Sequence, residues 1–325
     1  DGWFDAVFIG GFGPMRPANG VHAPIYVRTL VLAHDGEYIA LVVADLVGLQ
    51  FPRVHAARDA LVADGFERDR LIYQSTHNHQ GPDTMGLWGN PINFADPVSG
   101  VIPEYNQRVQ DAIEQSVRDA AASMVPVTMK VGAVHTRDLD PYFNGPVFGG
   151  KSPDTRQHGM VHDGRDPVVV SDQMLVMQGT GDDGNVLFTW TNWSGHPETF
   201  DSENNLISSD FAGVLREVLE AEYGGTAIHT PECLGGMQSA LSGEMPLVDE
   251  NGTHVFQTCD AKAVANPKDE QCFGKAEGDP RIDGDGDPVP EWAEGATWEF
   301  VRSHGWHLAE AAMLALDTSE AMTPT

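Results

Sequence analysis

Residues 26–49 read YVRTLVLAHDGEYIALVVADLVGL, and no other stretch limits the fold as much. Two runs rich in Val, Leu and Ile flank His-Asp-Gly-Glu, and Asp-Gly is a favoured pair for the tight turn of a β-hairpin. An isolated hairpin is not stable in water, so the rest of the chain has to supply a sheet and a cover for it.

The following segments supply both. Residues 51–65 (FPRVHAARDALVADG) predict a short amphipathic helix stopped at Gly65, and LIYQST (71–76) a buried strand. Residues 77–103 are rich in Gly, Pro and Asn and form a long loop, the kind that often carries function. From Glu104 onward Tyr105, Val109, Ile113, Val117 and Ala120 fall on one stripe, predicting a helix that Pro126 closes. VTMKVGAVH (127–135) is a strand. Residues 136–166 are irregular, and residues 169–193 give a second hairpin around Asp-Asp-Gly-Asn. A helix with Asp210 at its start and a glycine stop follows, then a short strand (225–230) and a last helix over 298–316.

Alternation of this kind predicts an α/β fold, a mixed β-sheet core with flanking helices. Residues 242–297 break into Gly, Pro and acidic residues and read as a surface insertion. No solenoid repeat is present. Several predicted strands open into loops with His, Gly or Ser at the mouth, which is where α/β folds place their sites.

Composition narrows the function classes. The chain has 325 residues, 48 acidic against 19 basic side chains and a net charge of −29. Phosphate backbones and anionic lipid surfaces repel such a protein, so direct nucleic-acid binding is disfavoured. No apolar run has the length of a transmembrane segment. The sequence opens Asp-Gly-Trp without an apolar leader, which reads as a processed or trimmed start. Cys259 and Cys272 flank a short polar segment and suit a disulfide in an oxidising compartment; three reduced thiols, with Cys233, are the other reading.

The chemistry concentrates in LIYQSTHNHQGPD. Histidines two apart on a strand face the same side, so His77 and His79 can share one pocket, and neutral imidazole is a good zinc ligand. A strand cap and a loop hydrogen bond would also account for them. The pair opens the His-x-His-x-Asp-His pattern of metallo-β-lactamase-like hydrolases, but Gly81 and Pro82 stand where Asp and His should be. His196, in NWSGHPETF after the second hairpin, is a third histidine at a strand end. Ser239 and Gly236 lie in CLGGMQS, whose Gly-Gly turn lets backbone N–H groups approach a ligand. Asp45 ends an apolar strand, either as a turn former or as a carboxylate orienting a metal-bound histidine. Asp283, Asp285 and Asp287 alternate like a calcium loop, yet Pro288 replaces the glycine an EF-hand requires, and a solvated acidic loop is the other reading.

In order and spacing these segments resemble the N-terminal catalytic region of the neutral/alkaline non-lysosomal ceramidases. The resemblance rests on YVRTLVL, VVADLVG, STHNHQGPD, NWSGHPETF, ISSDFAG and CLGGMQS, over roughly residues 8 to 240, with STHNHQGP its most specific part. It implies a zinc-dependent amidase in which His77 and His196 bind Zn2+. His79 would contact the substrate or oxyanion, Ser239 would match the turn serine, and Asn78 and Gly236 would lie against the substrate. The metal would activate water against an amide carbonyl of a ceramide-like or other N-acyl substrate. It further implies a secreted or periplasmic enzyme forming one catalytic domain over 1–325, short of its C-terminal end.

The chain departs from the family pattern in places. The family completes its zinc shell with a Glu and a Tyr beyond the last helix, for which Glu198 is a local substitute. Met237 replaces an Asp in the serine turn, and an expected Arg has no counterpart near Asn144 and Gly145, Arg137 lying too early. An esterase or amidase of another acyl substrate, and a non-catalytic surface protein stabilised by Ca2+, are the remaining alternatives.

Overall fold

The computed structural model describes residues 6–90, 98–136, 139, 160–162, 169–239, 241, 244–284 and 286–322. After the short β1 (Gly20–Val21), the expected hairpin is β2 (Val27–His34) and β3 (Glu37–Ala44), turning at Asp35 and Gly36, both with positive φ. Then come α1 (Phe51–Ala63) and β4 (Leu71–Ser75), which pairs in parallel with β3. This three-stranded sheet is covered on one face by α1 and by α2 (Pro103–Ala122). Ala40, Val42 and Ala44 of β3 pack there against Leu61, Val109, Ile113 and Val117.

The second half builds a larger sheet. Its strands are β5 (Val127–His135), β7 (Gln173–Gly181) and β8 (Val186–Asn192), with the two-residue β6 (Val161–His162) and β9 (Leu206–Ile207) lying outside it. Helix α3 (Asp210–Tyr223) leads into β10 (Thr226–Thr230), then β11 (Gln238–Ser239), β12 (Glu244–Pro246), the one-turn α4 (Ala261–Val264), β13 (Trp292–Glu294), α5 (Trp298–Asp317) and β14 (Glu320–Ala321). The sheet order is β10-β8-β7-β5-β14, with β10 parallel to β8 and the other pairs antiparallel.

Helices α3 and α5 cover one face of this sheet through Phe211, Leu215, Leu219, Phe300, Leu308 and Ala312. Gly132 of β5 is required by that contact, since a Cβ there would lie 1.9 Å from the Ala315 carbonyl oxygen of α5. The inner faces of the two sheets meet at Leu30, Val43, Phe188 and Ile228. The layers are therefore helices, small sheet, large sheet, helices, a mixed-sheet α/β architecture.

The segment before α5 is more ordered than its composition suggests. Backbone bonds link residues 247–259 to 279–291 in an irregular ladder, with bridges Phe256↔Pro290, Thr258↔Pro280 and Ile282↔Pro288. Cys259 and Cys272 form a disulfide, and Cys233 is free. No helix among the described residues is long and apolar enough to cross a membrane.

Candidate metal centre

The parallel β3–β4 ladder runs past the end of β4: Thr76 N–H donates to Ala44 O and Asn78 N–H to Leu46 O. Between them His77 has φ 64, a left-handed conformation unusual for a residue with a side chain. His77 and His79 thus converge by the turn of the loop and not by strand alternation, with ring centroids 5.0 Å apart. His196 comes from the loop after β8, its ring centroid 4.9 Å from His77 and 5.6 Å from His79. One ring nitrogen from each of the three lies within 4.8 Å of the others.

Hydrogen bonds fix the tautomers. Nδ1 of His77 lies 2.7 Å from Val47 O, and Nδ1 of His196 lies 2.7 Å from Met237 O. A carbonyl only accepts, so both rings carry their proton on Nδ1 and keep the Nε2 lone pair for a ligand. Burial, then the neighbouring His79, lowers His77 to about 4, so this imidazole is neutral at pH 7. The donor set and its tautomers fit a divalent metal such as zinc.

His79 is held differently. Its Nδ1 is 3.2 Å from Glu198 Oε2, at ion-pair distance but without hydrogen-bond alignment. Glu198 is buried, and its Oε1 has no hydrogen-bond partner among the described residues. The other side of the ring rests on Gly11 and on the edge of Phe12, with centroids 4.9 Å apart. A Cβ on Gly11, whose φ is +92, would lie 2.4 Å from His79 Cγ.

Both strand-end loops are anchored from outside. Asp83 accepts from the amides of Met85, Gly86 and Trp88, and Arg16 donates to the carbonyls of His79 and Asn204. Asp210, at the start of α3, accepts from the amides of Thr199 and Phe200 and ties down the His196 loop. Burial raises its pKa, against the hydrogen bonds from Phe211, Phe200 and Thr199.

The other predicted site residues are placed as follows. Ser239 is buried on β11, two residues past the Met237 carbonyl that orients His196, and Gly236 lies in the turn before it. Asn78 is not turned to a substrate: Nδ2 donates to Asp45 O and Ser208 O, and Oδ1 accepts from Gln80 N–H. Asp45 does not orient an imidazole, because Arg216 takes both carboxylate oxygens and Tyr26 N–H takes Oδ2 as well. Asp283 accepts from Asp287 N–H in a tight turn; Asp285 lies outside the described residues, as do Arg137, Asn144 and Gly145. Glu198 stands behind His79, where a shared ligand position with His77 and His196 does not include it. Gly11 and the Val47 and Met237 carbonyls escaped the sequence reading, the only hint being the glycine run GGFG at 10–13.

The profile of the neutral/alkaline non-lysosomal ceramidases, N-terminal region, matches residues 4–286. The chain belongs to this family. The resemblance carried by STHNHQGP and NWSGHPETF is thereby borne out. Among solved structures, the neutral ceramidase of Pseudomonas aeruginosa has TM-score 0.62 at 16% identity, covering 99% of this chain and 44% of that one. A ceramidase complexed with C2 also gives 0.62 at 16%, covering 98% and 43%. At such identity the likeness shows the shared α/β fold, and this chain spans less than half the length of those ceramidases. Comparison with the sequences of curated proteins finds no match.

A cavity of 1260 Å³ opens between the two sheets, lined by residues such as Leu30, Leu32, Met129 and Phe188. None of the three histidines lines it.

Proposed function

We propose that this ceramidase-family chain is a zinc-dependent hydrolase that cleaves the amide bond of a ceramide-like or other N-acyl lipid. The observation that carries the reading is the contrast among the three imidazoles. His77 and His196, with Nδ1 on backbone carbonyls, are the metal ligands; His79, with Nδ1 on the Glu198 carboxylate, is the acid–base group.

When bound between His77 and His196, Zn2+ supplies Lewis acidity, lowering the pKa of a water and polarising a carbonyl. The remaining work belongs to the chain. Glu198 faces Nδ1 of His79, and Nε2 of that ring is the group assigned to relay a proton from the attacking water to the departing amine. Gly11 and Phe12 hold the ring in place. Ser239, on β11, and Gly236, in the turn before it, are the groups assigned to substrate contact. The Cys259–Cys272 disulfide supports a secreted or periplasmic setting.

The test is metal analysis alongside hydrolysis of a fluorogenic N-acyl amide. His77→Ala should lose the zinc of this centre together with turnover, whereas His79→Gln should keep that zinc and lose about 100- to 10,000-fold in rate. A His77→Ala protein with full zinc and turnover would sink the assignment. Turnover confined to short soluble N-acyl compounds would change the substrate class and leave the site chemistry standing.

A further inference from the structure

A second set of ligand-type side chains lies where the 247–291 ladder meets α5. His307 and Glu310 stand one turn apart on α5, and His254 comes from the ladder. His254 Nε2 is 2.6 Å from Glu310 Oε1, and His307 Nδ1 is 3.0 Å from Glu310 Oε2. One donor atom from each residue lies within 4.8 Å of the others, and the imidazole centroids are 5.3 Å apart. No residue is shared with the His77, His79 and His196 centre.

We propose that His254, His307 and Glu310 form a second zinc site, which staples the 247–291 ladder to α5. Hydrogen-bond accounting on His307 points to it. This ring is buried, and its Nε2 lies 2.8 Å from the Pro246 carbonyl oxygen, which can only accept. If Nδ1 also donates to Glu310, the ring carries two protons and leans on that carboxylate alone to balance its buried charge. A divalent cation between Nδ1 and the carboxylate removes that demand. The ring then stays neutral with its proton on Nε2, and the Pro246 carbonyl acts as the outer partner that orients a ligating histidine.

Distances and ligand types agree with this assignment. Zinc bonds of about 2.0–2.1 Å put tetrahedral ligand atoms roughly 3.3 Å apart. The two contacts to Glu310 are shorter than that by less than 1 Å, so small rotations of His254 and Glu310 admit the ion. Two imidazoles and one carboxylate suit Zn2+ and not Ca2+ or Mg2+, which prefer oxygen. Both exposed partners, His254 and Glu310, are about one-third accessible, so water can fill a fourth position.

The experiment separates the two centres. The full chain carrying His77→Ala and His196→Ala, stripped with chelator and titrated with Zn2+, should bind one equivalent and gain in Tm. Adding His254→Asn and Glu310→Gln should abolish both. In the otherwise native chain, His254→Asn alone should lower bound Zn2+ by one equivalent. A double variant that binds no Zn2+, or a quadruple variant that still binds one equivalent, overturns the site. A native chain with one equivalent, all of it lost with His254→Asn, supports this site and instead removes the zinc assigned to His77 and His196.

Discussion

His79 Nδ1 lies 3.2 Å from Glu198 Oε2, while the same atom of His77 and of His196 lies 2.7 Å from a backbone carbonyl. A carbonyl accepts one proton and holds a ring neutral, whereas a carboxylate also stabilises the doubly protonated ring. The proposed division of work among the three histidines rests on this difference. Glu198→Gln keeps the shape and removes the charge. It should lower kcat/KM about 10- to 100-fold and alter the pH–rate profile, with zinc content unchanged. If instead the variant loses the zinc of the His77 and His196 centre, Glu198 is itself a ligand.

The same imidazole depends on a missing side chain. Gly11→Ala would place a methyl 2.4 Å from His79 Cγ, on a backbone with φ +92 that L-residues rarely adopt. The strain is about 1–3 kcal/mol, and the ring has to move. Turnover should drop by more than tenfold along with Tm. Gly13→Ala is the control, since nothing lies within 4 Å of a Cβ there. Equal activity in the two variants would show that this contact does not set the ring.

Local order was legible in the sequence, and partnership across the chain was not. The Asp35-Gly36 turn, the stripe from Tyr105 to Val117 and the strand Val127–His135 depend on neighbours within a few residues, and all three form as expected. The parallel pairing of β10 with β8, and the facing of the two sheets through Val43 and Phe188, depend on residues far apart in sequence. His77, His79 and His196 stood out because each imidazole ends an apolar run. Glycine 11 is informative only for what it leaves room for. The 247–291 ladder was hidden because its pairing is broken by prolines 280, 288 and 290, which erase the alternation that marks a strand.

Asp45 shows the limit most plainly. An acid within an apolar run suggested a metal-site role, but its partner is Arg216, 171 residues away, at 2.6 and 2.7 Å. Both side chains are almost fully buried. Asp45→Ala strands a buried guanidinium and should reduce stability by about 3–5 kcal/mol in urea unfolding. Asp45→Leu with Arg216→Met should recover most of that loss. Zinc per folded molecule should stay constant throughout. A stable Asp45→Ala that loses the zinc of the His77 and His196 centre would return this carboxylate to it.

Acid sensitivity should trace in part to His229 on β10. Burial, and then the nearby Arg216 guanidinium, lower this imidazole from 6.5 to about 3. Its Nδ1 lies 3.0 Å from Thr191 Oγ1, and among the described residues its buried Nε2 has no partner to stabilise a second proton. Between about pH 6.5 and 3 the unfolded chain therefore binds a proton here that the folded chain refuses, and stability falls as pH drops through that window. His77, lowered to about 4, adds to the slope in the same direction. Glu310, held at about 2 against 4.5, adds to it only from pH 4.5 downward. His229→Gln keeps a side chain able to reach Thr191 but cannot titrate. Its Tm should fall less between pH 7.5 and pH 5 than that of the native chain, and identical falls would remove His229 from the account.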